Sequence, residues 1–100
     1  MGKIIFSVSY EIDPEKRDEY LELMKKVREQ IREVTGQDYT VYEDSRRPNL
    51  MSEVYYLDND ADFRKVQEMQ EEKPFDLIDQ IDNYLLNQDQ VVIRTFREIL

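Results

Sequence analysis

The chain contains no cysteine, no histidine and no tryptophan among its 100 residues. Without cysteine there are no disulfides, thiolate metal sites or thiol nucleophiles. Without histidine there is no imidazole general base, no Ser-His-Asp triad, no proximal haem ligand and little basis for a zinc site. No stretch approaches the roughly 18 apolar residues of a membrane span. The first ten residues carry one lysine and alternating side chains rather than the continuous apolar block of a signal peptide, which predicts a cytoplasmic protein by default. Basic residues are also scarce: 14 Lys and Arg face 23 Asp and Glu, for a net charge of −9. Such a chain repels phosphate backbones and anionic lipid, so nucleic acid and membrane surfaces are not expected partners.

What is present is a globular pattern. Hydrophobic residues make up 40% and charged residues 37% of the sequence, so a lean core under an ionic surface is expected. One hundred residues suit a single domain over 1–100, and so small a core gains from a second copy; a homodimer is expected on that ground.

Ile4, Phe6, Val8, Tyr10 and Ile12 alternate with Ile5, Ser7, Ser9 and Glu11, a period of two that predicts a strand with one apolar face. Asp13-Pro14 supplies an N-cap and a proline suited to the first helical position. Tyr20, Leu23, Met24, Val27, Ile31 and Val34 then form the apolar stripe of a helix of about 22 residues, stopped by Gly36. Tyr39–Glu43 and Leu50–Leu57 read as a hairpin around the polar turn 44–49. Asp58, Asn59 and Asp60 offer caps for a second helix along Phe63, Val66, Met69 and Gln70. A break is predicted at Glu71–Pro74, with helical spacing resuming at Phe75, Ile78, Ile81 and Leu85. Val91–Ile99 closes the chain as a strand. The order βαββαβ predicts an α+β, ferredoxin-like fold: a four-stranded antiparallel sheet with two helices on one face.

Two helices leave the other face of such a sheet bare. On the first strand that face holds Ile5, Ser7, Ser9 and Glu11; on the third, the set with the acid, Met51, Glu53, Tyr55 and Leu57, is assigned to it. Thr40, Tyr42, Val92, Arg94 and Phe96 are expected there too. An apolar surface mixed with serines and charges suits contact with a second copy, either as plain dimer core or around a small-molecule cavity. The candidate ligand-binding residues are Ser7, Ser9, Tyr42, Glu53, Tyr55 and Arg94. Glu53 with Arg94 reads as an ion pair that orients a ligand or as a structural bridge. Tyr42 and Tyr55 read as hydrogen-bonding groups for a carbonyl or phenolate, or as core aromatics. Ser7 and Ser9 have no base beside them and are not read as nucleophiles. Asp58, Asp60 and Asp62 lack the glycine turn and distal glutamate of a calcium loop and read as helix caps; no metal or cofactor is expected.

Tyr42-Glu43-Asp44, Pro48-Asn49, Glu53-Val54-Tyr55 and Phe63, with the Asp13-Pro14 helix opening, resemble the dimeric α/β-barrel superfamily in its antibiotic-biosynthesis-monooxygenase-like branch. The resemblance implies a ferredoxin-like homodimer that binds a small molecule, with cofactor-independent oxygenation of an aromatic substrate as the implied activity. A non-catalytic dimerisation or ligand-binding module is the other reading. The chain departs from the branch where a histidine often opens the second helix, having Gln67 and Gln70 in that region. It also lacks the tryptophan and histidine of the haem-degrading members, which argues against haem as a ligand.

Overall fold

The computed structural model describes residues 3–72, 80–87 and 90–100, with the backbone alone for 70–72. Strand β1 runs Ile4–Glu11, β2 Asp38–Glu43, β3 Leu50–Leu57 and β4 Val92–Arg97; helix α1 spans Arg17–Thr35 and α2 Asp60–Glu72. A short 3-10 turn, Pro14–Lys16, leads into α1, and another, Gln80–Tyr84, precedes β4. The four strands form one antiparallel sheet in the order β2-β3-β1-β4, the α+β ferredoxin-like arrangement.

Local chemistry explains the boundaries. The Asp13 carboxylate accepts the Glu15 N–H at 3.0 Å and Pro14 occupies the first turn, so the orphan donors of the helix start are partly satisfied. At the other end Gly36 takes φ +69° and its N–H returns to Arg32 O, a left-handed cap that side-chain-bearing residues adopt reluctantly. Asn59 caps α2 by accepting the Asp62 N–H at 2.9 Å. The expected break at Glu71–Pro74 is only partly visible: α2 continues through Glu72, and Lys73, Pro74, Phe75 and Ile78 lie outside the described residues. Ile81 is buried, in a 3-10 turn rather than an α-helix, and Leu85 forms a bridge to Ile12.

One core lies between the sheet and the helices. Ile4, Phe6, Val8 and Tyr10 of β1 meet Tyr20, Leu23, Met24, Val27 and Ile31 of α1 and Val66 and Met69 of α2. Val34 does not share it. It is 59% exposed, in the last turn of α1, two residues before the Gly36 cap. The final strand is shorter than its apolar run suggested: Ile99 and Leu100 stand in solvent beyond it.

The sheet register corrects one face assignment. β1 and β3 pair so that Ile4 lies opposite Leu57, Phe6 opposite Tyr55, Val8 opposite Glu53 and Tyr10 opposite Met51. Cross-strand partners share a face, so Met51, Glu53, Tyr55 and Leu57 point into the helix-covered core. The bare face of β3 is instead Leu50, Ser52, Val54 and Tyr56, beside Ser7 and Ser9 of β1 and Thr40 and Tyr42 of β2. Val92, Arg94 and Phe96 lie opposite Ser9, Ser7 and Ile5, on the bare face as expected.

Candidate functional site

The six sequence-predicted ligand residues divide between the two sides of the sheet. Ser7, Ser9, Tyr42 and Arg94 share the bare face; Glu53 and Tyr55 are inside. The proposed Glu53–Arg94 pair is therefore not formed: the two side chains project from opposite faces, and a β-sheet separates them.

Inside, Glu53 is the acid of a hydroxyl cluster. Its side chain is buried, with the residue 6% exposed. The Tyr39 hydroxyl donates to Glu53 Oε1 at 2.7 Å, and the Tyr10 hydroxyl stands near the same carboxyl. Tyr10 in turn shares a 2.8 Å hydrogen bond with Tyr20 of α1. The four groups come from β3, β2, β1 and α1, so the cluster ties three strands to the first helix. Around it stand Tyr55, whose ring centroid lies 4.7 Å from that of Tyr39, and Tyr84, edge-on to Tyr20 at 6.3 Å. The partners of the carboxyl are phenols rather than a guanidinium or ammonium. Burial raises the Glu53 pKa; the Tyr39 and Tyr10 hydroxyls pull against that shift and Asp82 adds to it. Burial also raises the phenol pKa values of Tyr10, Tyr39 and Tyr20, each pushed further by the nearby carboxylate. Such a carboxyl favours its protonated form and, when ionised, is a stronger base than a solvated one.

Sequence reasoning placed Glu53 in a site but missed Tyr10, Tyr20 and Tyr39 as its partners. A signal existed. Tyr10 sits on the wholly apolar face of β1 and Tyr20 in the apolar stripe of α1, and buried phenols require acceptors.

The bare face is a mixed surface. Ser9 and Ser52 share a hydrogen bond at 2.8 Å, and Tyr42 and Tyr56 one at 2.6 Å. Ile5, Tyr42, Tyr56, Val92 and Phe96 are exposed around these hydroxyls. Two clefts open at its ends. One of about 670 Å³ includes Ile5, Tyr56, Phe96 and Lys3; the other, about 590 Å³, includes Ser9, Glu11, Arg47 and Val92. Neither is lined by Glu53.

The loop 44–49 is held by charge. Arg17 bridges Glu43 and Asn49, Glu43 also accepts the Asn49 N–H at 2.9 Å, and Arg47 pairs with Glu11. The Arg17 hydrogen bond, aided by the Asn49 N–H, pulls the Glu43 carboxyl down to about 2. Among the described residues no group of three or more acids is arranged to hold a metal ion.

Solved structures share this architecture. A conserved protein from Methanosarcina mazei Go1 is 19% identical, with a TM-score of 0.76, covering 99% of this chain and 95% of its own. An antibiotic biosynthesis monooxygenase is 18% identical at TM-score 0.73, with both chains covered in full. A dimeric ferredoxin-like protein from an uncultured marine organism is 12% identical at TM-score 0.64, covering 100% of this chain and 89% of its own. At these identities the likeness establishes the ferredoxin-like fold alone. No curated protein matches in sequence. A family profile described as "Transmembrane secretion effector" matches residues 1–99, although no helix among the described residues is long and apolar enough to cross a membrane.

Proposed function

The chain belongs to the transmembrane secretion effector family, and we propose that it acts, as a single domain over residues 1–100, as a homodimer that binds a small aromatic molecule. In this reading two copies pack their bare sheet faces together, and the chemistry is cofactor-independent oxygenation of an electron-rich aromatic. The observation that carries it is Glu53: a buried carboxyl, partnered by phenols and surrounded by aromatic rings, on the helix side of the sheet. Buried acids with raised pKa values concentrate at functional sites, since general bases need that poise. Glu53 would take the proton of a phenol or enol. The resulting anion is the reductant and O₂ the oxidant; the ring gives up four electrons to become a quinone, one oxygen atom entering as the new carbonyl and the other leaving as water. Tyr39 and Tyr10 would hold the carboxyl in place and Tyr55 would flank the ring. Tyr42 would serve the bare face. The name of the monooxygenase neighbour supports the activity only by analogy of fold.

The dimer rests on the uncovered face and on the neighbour described as dimeric. The reading assigns the chain to the cytoplasm, with no nucleic acid, metal or membrane surface as its own partner; the transmembrane character in the family's description would then belong to other parts or other members. A second reading, a non-catalytic dimerisation or ligand-binding module, is favoured by the interior itself, where carboxyl and phenols already satisfy one another. The test is oxygen uptake with hydroxylated naphthalenes and anthracenes, together with sedimentation. Turnover lost in Glu53→Gln with the dimer intact supports the first reading. Equal turnover in both proteins sinks the acid–base role, and none in either leaves the module. A compact monomer at micromolar concentration refutes the dimer.

A further inference from the structure

Arg94 is the basic residue at the middle of the bare face, with Lys3 and Arg47 at its ends. It projects from the middle of β4 directly opposite Ser7, and among the described residues it makes no ion pair or hydrogen bond. The acids on that side are engaged only in part: among the described residues Asp58 and Glu98, at the Lys3 end of the face, make no ion pair. Glu11 pairs with Arg47, Asp38 with Arg32, and Glu98 accepts the Lys3 N–H. Ser7 is only 9% exposed, yet its hydroxyl likewise has no side-chain partner among the described residues. A free guanidinium thus stands across from a nearly buried, unused hydroxyl, framed by the exposed apolar side chains of Ile5, Val92 and Phe96.

Resting on the homodimer reading above, a second consequence follows. Packing two bare faces together would strip water from Arg94, and a desolvated charge is costly unless it is paired. The acids without an ion pair on that face, Asp58 and Glu98, lie at its Lys3 end, away from the middle of β4 where Arg94 stands opposite Ser7. A bound anion would supply the missing counter-charge. The guanidinium fork matches a carboxylate in two parallel hydrogen bonds, and the apolar frame suits a flat hydrocarbon body.

We propose that Arg94 and Ser7, with Ile5, Val92 and Phe96, form a binding site for an aromatic carboxylate at the face where two copies meet. The site is separate from Glu53, which lies on the other side of the sheet. Arg94 supplies the charge, Ser7 an additional donor, and the apolar side chains a slot for the ring.

The experiment uses 2-naphthoate, a fluorescent aromatic carboxylate, titrated into wild type, Arg94→Gln, Arg94→Lys and Ser7→Ala, with sedimentation on each protein. Naphthoate is expected to bind wild type. Arg94→Gln should weaken it at least about tenfold, Arg94→Lys by less, because the ammonium keeps the charge but not the fork. The neutral methyl ester should bind wild type as weakly as naphthoate binds Arg94→Gln. Naphthoate should also raise the dimer fraction of wild type and not of Arg94→Gln. Undiminished binding to Arg94→Gln overturns the site, as does no binding to a wild type that sediments as a dimer. A wild type that stays monomeric with and without naphthoate overturns the homodimer reading itself, and the site with it.

Discussion

Replacing Glu53 by glutamine while scanning pH isolates the interior carboxyl. The linkage sign follows from its environment. Burial raises the folded-state pKa above the ordinary value of 4.5, so between those two values the folded chain holds a proton that the unfolded chain has released. The stability this group contributes is complete below pH 4.5 and is lost as pH rises through the folded value, at up to about 1.4 kcal/mol per pH unit within that window. Glutamine keeps an oxygen acceptor for the Tyr39 hydroxyl but cannot ionise. Its extra N–H donors lack a designed acceptor, at a cost of about 1–3 kcal/mol at acid pH. On raising the pH the wild type should lose this advantage while Glu53→Gln does not, so the difference between them narrows and can reverse. Glu53→Leu is the contrasting case. It removes the acceptor from the buried Tyr39 hydroxyl, at about 1–3 kcal/mol, and should be worse than glutamine at acid pH. The assay is urea denaturation from pH 4 to 9 at fixed protein concentration, since assembly makes midpoints concentration-dependent. Parallel pH profiles for wild type and Glu53→Gln would refute the argument, because they would mean that Glu53 titrates alike in the folded and unfolded chains.

Glu43 should behave in the opposite sense: its carboxyl, held at about 2 chiefly by the Arg17 hydrogen bond, is stabilising above the ordinary carboxylate range and loses that contribution as pH falls towards 2. In Arg17→Ala its carbon-13 carboxyl titration should move up towards the usual value, and an unmoved titration would refute the assignment. Ile31, fully buried against the sheet, should cost about 2–5 kcal/mol as alanine in the same denaturation assay; a cost under 1 kcal/mol would mean the helix face packs otherwise. Gly36→Ala should cost only about 1–2 kcal/mol, because the new Cβ meets nothing within 4 Å and the left-handed φ of +69° is the sole penalty. Phe96→Asp should shift sedimentation towards the monomer while leaving far-ultraviolet circular dichroism unchanged; an unaltered dimer would remove the bare face from the interface.

The pattern of which elements were legible has a physical basis. β1 could be read to within one residue, ending at Glu11 rather than Ile12, because one face is wholly apolar and the other mostly small and polar, so only one orientation hides hydrocarbon. α1 was equally plain, its start marked by Asp13-Pro14 and its end by Gly36. β3 was ambiguous. In Leu50–Leu57 both alternating sets are largely apolar, and the lone acid was taken to seek water. That inference fails when acceptors are scarce inside. The core holds the hydroxyls of Tyr10, Tyr20 and Tyr39, each a donor that costs energy if unpaired; Tyr10 and Tyr20 share one hydrogen bond, and Glu53 is the acceptor that Tyr39 meets. The carboxyl is therefore drawn inward by the same accounting that usually keeps carboxyls out. The register with β1 then follows, since a one-residue slip would put Glu53 on the bare face and strand Tyr39 without it. An acid in the third strand and phenols in the first strand, first helix and second strand are thus one structural unit distributed over the chain, whose logic is visible only when hydrogen-bond demand is counted together with hydrophobic period.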